Sequence, residues 1–131
     1  MNRPRVLVVD DEPLITSMLS MVLDLGLDAE VVTTNSSLHS WEILRQGDIS
    51  LLVTDYLMPD LNGLRLVRAM RKHGITIPAL LLTGYCDEPE LVANTDTLSP
   101  FEVIVKPWDN EFLLGRIRAL LAISDQPTRA T

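Results

Sequence analysis

The chain alternates short apolar runs with longer segments whose apolar residues recur at helical spacing. Runs at Val6 to Val9, Ala29 to Thr33, Ile49 to Thr54, Ile77 to Leu82 and Phe101 to Val105 predict five β-strands. Leu51-Leu52-Val53 and Ala79-Leu80-Leu81-Leu82 are continuously apolar instead of alternating. Parallel strands read this way when helices cover both faces and neither meets water.

Between these runs, Pro13 opens a first helix with Ile15, Met18, Leu19 and Val22 on one face, and Gly26 stops it. A second helix carries Leu38, Trp41 and Leu44 behind a cap at Asn35 or Ser36. A third carries Leu66, Val67 and Met70 and ends at Gly74. A short, weakly patterned helix is expected near Pro89 to Asn94, then a polar loop from Asn94 to Pro100. The last helix carries Leu113, Ile117 and Leu120, with Asp109 as its cap. Strict alternation of five strands and five helices predicts an α/β fold: a flavodoxin-like, doubly wound, five-stranded parallel sheet with helices on both faces. The order 2-1-3-4-5 fits five strands, although alternation alone does not give the order. One domain is expected over residues 1–124, with 125–131 as a flexible tail or the start of a linker.

Composition narrows the function. A hydrophobic fraction of 47% in 131 residues suffices for the core of one domain. The formal charge of -7 argues against direct binding to nucleic acid or to an anionic membrane surface. Cys86 is the single cysteine, so there is no internal disulfide framework. The first apolar run is too short for a signal-peptide core or a membrane span. The expectation is a soluble, cytoplasmic domain.

The informative polar residues stand where apolar strands end. Asp10 and Asp11 follow the first run, Asp55 the third, Thr83 the fourth and Lys106 the fifth. Open α/β sheets bind ligands at the carboxyl ends of their strands, near the point where strand order reverses. If strands 1, 3, 4 and 5 are neighbours, these side chains share one pocket. Three close carboxylates repel one another, and a divalent cation relieves that conflict. Mg²⁺ prefers hard oxygen ligands and phosphoryl oxygens. A carboxylate can act as nucleophile, while a hydroxyl and an ammonium stabilise a phosphoryl group in transit.

Four pieces carry a resemblance to the receiver domain of two-component response regulators over residues 5–122. They are Val8-Val9-Asp10-Asp11-Glu12-Pro13, Asp55-Tyr56-Leu57-Met58-Pro59 with Asp60 and Gly63 beyond, Leu82-Thr83-Gly84, and Lys106-Pro107-Trp108. The resemblance implies that Asp55 is the phosphoacceptor. It implies Mg²⁺ held by Asp11 and Asp55 directly, by Asp10 mainly through water, and by the Leu57 carbonyl. Thr83 becomes the hydroxyl that follows the phosphoryl group and Lys106 its ion-pair partner, with a cis Lys106-Pro107 bond. The implied donor is a phosphohistidine on a histidine kinase or histidine phosphotransfer protein, and the implied readout is an output domain or effector protein.

Each residue also has a plainer reading. Asp10 and Asp11 suit a helix N-terminus, Asp55 and Thr83 suit turns, and Lys106 suits a solvated surface. These readings are individually plausible and jointly improbable. Cys86 has no adjacent basic partner to activate it. His39 and His73 lack ligand spacing, while Trp41 and Trp108 are expected to pack.

Two rival functions are an aspartate-based phosphatase and a degenerate receiver acting only as an interaction module. A phosphatase of this kind usually needs an acid-base carboxylate two residues after its nucleophile, where this chain has Leu57. The degenerate reading meets a chain in which every chemical position is filled. Neither Leu57 nor Tyr85, two residues past Thr83, supplies an amide or carboxylate to orient an attacking water, so slow self-dephosphorylation is expected. Val103 stands where many receivers carry a mobile aromatic residue, so that aromatic relay is expected to be missing or displaced.

Overall fold

A computed structural model describes residues 3–84 and 97–124. The elements are β1 (Arg5–Val9), α1 (Pro13–Gly26), β2 (Glu30–Thr34), α2 (Ser37–Arg45), β3 (Leu51–Asp55), α3 (Gly63–Lys72), β4 (Ala79–Thr83), β5 (Phe101–Val105) and α4 (Asn110–Ser124). The strands form one parallel sheet in the order β2-β1-β3-β4-β5. The chain steps outward from β1 to β2, then crosses back to place β3 on β1's other side. Strand order therefore reverses between β1 and β3, which opens a crevice at their carboxyl ends.

The sheet separates two apolar cores. One joins Leu7, Leu52 and Leu81 to Leu44 of α2 and to Leu66 and Met70 of α3. The other joins Val8, Val53, Leu80 and Ile104 to Leu19 and Leu23 of α1 and to Leu113 and Ile117 of α4. Each strand supplies alternate side chains to the two faces, so β3 and β4 are buried throughout. Their unbroken apolar runs follow from that placement.

Local chemistry sets the helix boundaries. The Ser36 hydroxyl accepts from the His39 N–H, the Asn62 side chain from Arg65 N–H and the Asp109 carboxylate from Phe112 N–H. Of the two cap candidates before α2, Ser36 is the cap. The strands match the expected runs within two residues, and the last matches at both ends. Met18 departs from expectation: it is exposed, and the inward face of α1 is built from Leu19 and Leu23. The helix expected near Pro89 to Asn94, the loop from Asn94 through residue 96, Tyr85, Cys86 and the tail 125–131 lie outside the described residues.

Arg71, near the end of α3, clamps the far side of the fold. Its guanidinium donates to the carbonyls of Ile75, Ile77, Leu98 and Pro100 at 2.8–2.9 Å. Burial pulls its pKa below the usual arginine value. These bonds tie α3 to the segments entering β4 and β5, the two strands that end in Thr83 and Val105.

Candidate functional site

The pocket is assembled by strand register. Asp55 pairs with Leu82 across β3 and β4, and Thr83 pairs with Val105 across β4 and β5. The last residues of these strands and the loop after β1 therefore finish at one level. Backbone bonds continue the pairing past the strand ends: Tyr56 N–H donates to Leu82 O, and Lys106 N–H to Thr83 O. Asp11, Asp55, Leu57, Thr83 and Lys106 line an open hollow of about 240 Å³, with Asp10 buried beneath it.

Asp10, Asp11 and Asp55 each present a carboxylate oxygen within 4.8 Å of the others. Asp10 and Asp55 are buried, while Asp11 faces solvent. Lys106 Nζ lies 2.5 Å from Asp55 Oδ1. Among the described residues, one ammonium faces three carboxylates, which leaves an excess of negative charge. Burial raises the Asp10 carboxyl to about 6; the Glu12 N–H pulls it down, and the charges of Asp55 and Asp11 raise it further while Lys106 opposes them. The oxygen set and the surplus charge fit a hard divalent cation, so this acidic cluster can hold a metal ion.

The capping and metal readings of Asp10 meet in one geometry. Its Oδ1 accepts the Glu12 N–H at 2.9 Å, closing a tight turn ahead of α1. Glu12 itself caps α1 without a side-chain bond. Asn35, expected only as a possible cap, does something else. Its side-chain N–H groups donate to Asp10 O at 2.8 Å and to Thr16 Oγ1 at 3.0 Å. It thereby ties the end of β2 to the loop that carries Asp10 and Asp11.

Gly63 is the second residue whose role periodicity did not reveal. A Cβ built there would lie 2.3 Å from Asp55 O and 2.6 Å from Leu81 Cδ1. Only glycine lets the start of α3 seat this closely against the end of β3, where its N–H donates to Tyr56 O at 2.8 Å. The loop between them, with Asp60 at a φ of 69°, turns Leu57 outward. The Lys106-Pro107 bond is cis, as the resemblance implied, and Ser99-Pro100 is cis as well.

The remaining candidates fall away from the pocket. His39 is exposed and shares a bond with Thr34 Oγ1. His73 stacks edge-on against Trp41, with ring centroids 4.9 Å apart. Trp108 packs against the α1 and α4 core, beside the Lys-Pro turn. Val103 and Phe101 share the opposite core, with Phe101 buried and Val103 half-buried. No helix among the described residues is long and apolar enough to cross a membrane.

Comparison with known proteins identifies the family. A family model described as the response regulator receiver domain matches residues 6–118. The response regulator MprA of Mycobacterium leprae is 35% identical over 118 residues, covering 89% of this chain and 50% of that protein. The uncharacterized transcriptional regulatory protein YkoG of Bacillus subtilis is 31% identical, covering 92% of this chain and 52% of its own. The chain thus spans about half the length of these two curated relatives. Among solved structures, a response regulator receiver domain protein from Clostridium thermocellum superposes with a TM-score of 0.83 at 26% identity, covering 92% of this chain and 95% of that one. The chemotaxis protein CheY4 of Vibrio cholerae gives 0.79 at 26% identity, covering 90% and 98%. With its sheet order, strand-end carboxylates and family match in agreement, the chain belongs to the response regulator receiver domains of two-component systems.

Proposed function

We propose that this receiver takes a phosphoryl group onto Asp55 from a phosphohistidine, carried by a histidine kinase or a histidine phosphotransfer protein, with Mg²⁺ as cofactor. The observation that carries the reading is the meeting of three carboxylates within 4.8 Å with an ammonium 2.5 Å from Asp55. Asp11 and Asp55 would hold Mg²⁺ directly, Asp10 mainly through water, and the Leu57 carbonyl would complete the protein's share. When bound, the cation neutralises the carboxylates and the incoming phosphoryl oxygens.

An Asp55 oxygen attacks phosphorus while the P–N bond to the donor imidazole breaks. The imidazole, protonated on its other nitrogen, leaves as a neutral ring, and Asp55 becomes an acyl phosphate. Lys106 exchanges its partner from the Asp55 carboxylate to a phosphoryl oxygen, and the Thr83 hydroxyl follows the group. The new contacts alter the surface presented to an output domain or effector protein. The acidic balance of the chain supports protein partners over direct nucleic-acid contact, and the reading places this signalling step in the cytoplasm.

The phosphatase and bare interaction-module readings are not favoured, since position 57 is Leu and each chemical position is occupied. Transfer from a radiolabelled phosphohistidine donor tests the proposal. Label should reach this protein with Mg²⁺ present and fail to do so with EDTA. Equal labelling in EDTA contradicts a metal-assisted transfer.

A further inference from the structure

We infer that Asn35 and Ser37, in the turn between β2 and α2, are positioning residues for the metal site, each holding one of two loops that supply its ligands. The inference rests on the proposed reading that Asp11, Asp55 and the Leu57 carbonyl hold Mg²⁺. The turn itself does not line the pocket.

Strand register brings the turn to the first loop. Val9 pairs with Thr34 at the ends of β1 and β2, and Asp10 N–H donates onward to Thr34 O at 3.3 Å. Asn35 therefore comes level with Asp10, and its amide nitrogen donates to Asp10 O at 2.8 Å and to Thr16 Oγ1 at 3.0 Å. A carbonyl oxygen only accepts, so chemistry fixes which end of the amide faces it. Asp10 O and Asp11 N–H belong to one planar peptide unit, and holding that plane sets the direction in which Asp11 leaves the chain. The Glu12 N–H on Asp10 Oδ1 holds the neighbouring carboxylate in turn.

Ser37 acts on the second loop. This buried residue donates its hydroxyl to Pro59 O at 3.1 Å. The same oxygen accepts Leu61 N–H at 2.8 Å, closing a γ-turn across Asp60, whose φ is 69°. A residue other than glycine keeps such a conformation only where its surroundings hold it. Ser37 thus anchors the bend that follows Leu57.

The turn is stiff enough to serve both loops. Thr34 Oγ1 accepts Ser36 N–H at 3.3 Å and shares a bond with His39 Nδ1 at 3.0 Å, while Ser36 Oγ accepts His39 N–H at 3.1 Å. Along Thr34-Asn35-Ser36-Ser37, alternate side chains fix the turn and reach out from it. One element thereby sets the loop of Asp11 against the loop of Leu57. Bonds that orient metal ligands from behind are worth roughly tenfold or more in affinity.

Isothermal titration calorimetry of the full chain with MgCl₂ and with CaCl₂ separates positioning from plain support. Mg²⁺ requires a near-regular octahedron of oxygens, whereas Ca²⁺ tolerates varied geometry. Asn35→Ala should weaken Mg²⁺ binding about tenfold and Ca²⁺ binding about threefold or less. The metal-free variant should melt close to the wild type, because Asn35 is exposed. Ser37→Ala, which frees the other loop, should shift the ratio of the two affinities in the same direction. Unchanged Mg²⁺ affinity in either variant overturns the inference, and so does a loss that is equal for the two cations. A wild type that binds no Mg²⁺ removes the metal reading itself, and the inference falls with it.

Discussion

Lys106 Nζ lies 2.5 Å from Asp55 Oδ1, a contact between residues 51 positions apart in the chain. β5 ends level with β4, and β4 with β3, so a lysine placed just after β5 reaches an aspartate at the end of β3 across two strands. Replacing Lys106 by Ala removes the ammonium that faces Asp55 and the positive charge it brings to the acidic cluster. Phosphoryl transfer to Asp55 should slow by about tenfold or more, on the scale of one lost charge-stabilising contact. Fold and melting temperature should change little, because the side chain is partly exposed. Stopped-flow measurement with a small phosphodonor checks this, and an unchanged rate would remove Lys106 from the transfer.

The same cluster gives stability a pH dependence of definite sign. Asp10 is raised from 3.8 to about 6 in the folded chain, chiefly by burial. Its contribution to stability is fully present below pH 4 and is lost as the pH rises through 6, because the folded state binds the proton more tightly than the unfolded one. Asp10→Asn keeps an oxygen for the Glu12 N–H and removes the charge. Discounted for solvent at the open pocket, it should stabilise the metal-free protein by about 1–2 kcal/mol at pH 8 and by nothing at pH 3.5. Mg²⁺ should shrink the gain at pH 8. Urea melts at the two pH values decide, and equal gains at both would separate the effect from Asp10's ionisation.

A third expectation concerns Gly63. Alanine there places Cβ against Asp55 O and Leu81 Cδ1, and the backbone oxygen can yield only if α3 moves off the end of β3. Gly63→Ala should cost about 1–3 kcal/mol, as overpacked sites do. It should also slow phosphorylation by shifting the Asp55 main chain. Denaturant melts paired with a phosphorylation time course would show both effects. A loss of stability at wild-type rate would mean the helix moves without disturbing the acceptor.

Lifetime should be governed in part by Leu57, a residue 53% exposed at the pocket whose carbonyl is the proposed metal ligand. An apolar side chain there cannot orient an attacking water, so the acyl phosphate should decay slowly. Leu57→Asn should accelerate decay several-fold, followed by loss of phosphate after the donor is removed. An unchanged decay rate would place control of hydrolysis elsewhere.

The chemistry was legible because it sits at strand ends, where a polar residue after an apolar run breaks the pattern visibly. Asp10, Asp55, Thr83 and Lys106 all stand out in this way, and the fold brings them together. The helix cap at Asp109 was equally readable, and Ser36 was one of two candidates for its helix, since local hydrogen bonding dictates such caps. Roles that depend on packing between distant elements were not. Arg71 reads as an ordinary helical cation, yet its work is done on carbonyls from Ile75 to Pro100. Gly63 and Asn35 look like loop residues until β3 and β1 are set beside them. Met18 was assigned inward because α1 has two apolar stripes, and periodicity alone does not say which one meets the sheet.

Intact-mass spectrometry of the protein incubated with Mg²⁺ and acetyl phosphate tests the role of Asp55 most directly. The wild type should gain the mass of one phosphoryl group, labile to hydroxylamine, and Asp55→Asn should gain none. An Asp55→Asn protein that acquires the same labile phosphate at the wild-type rate would contradict the assignment of Asp55 as the acceptor.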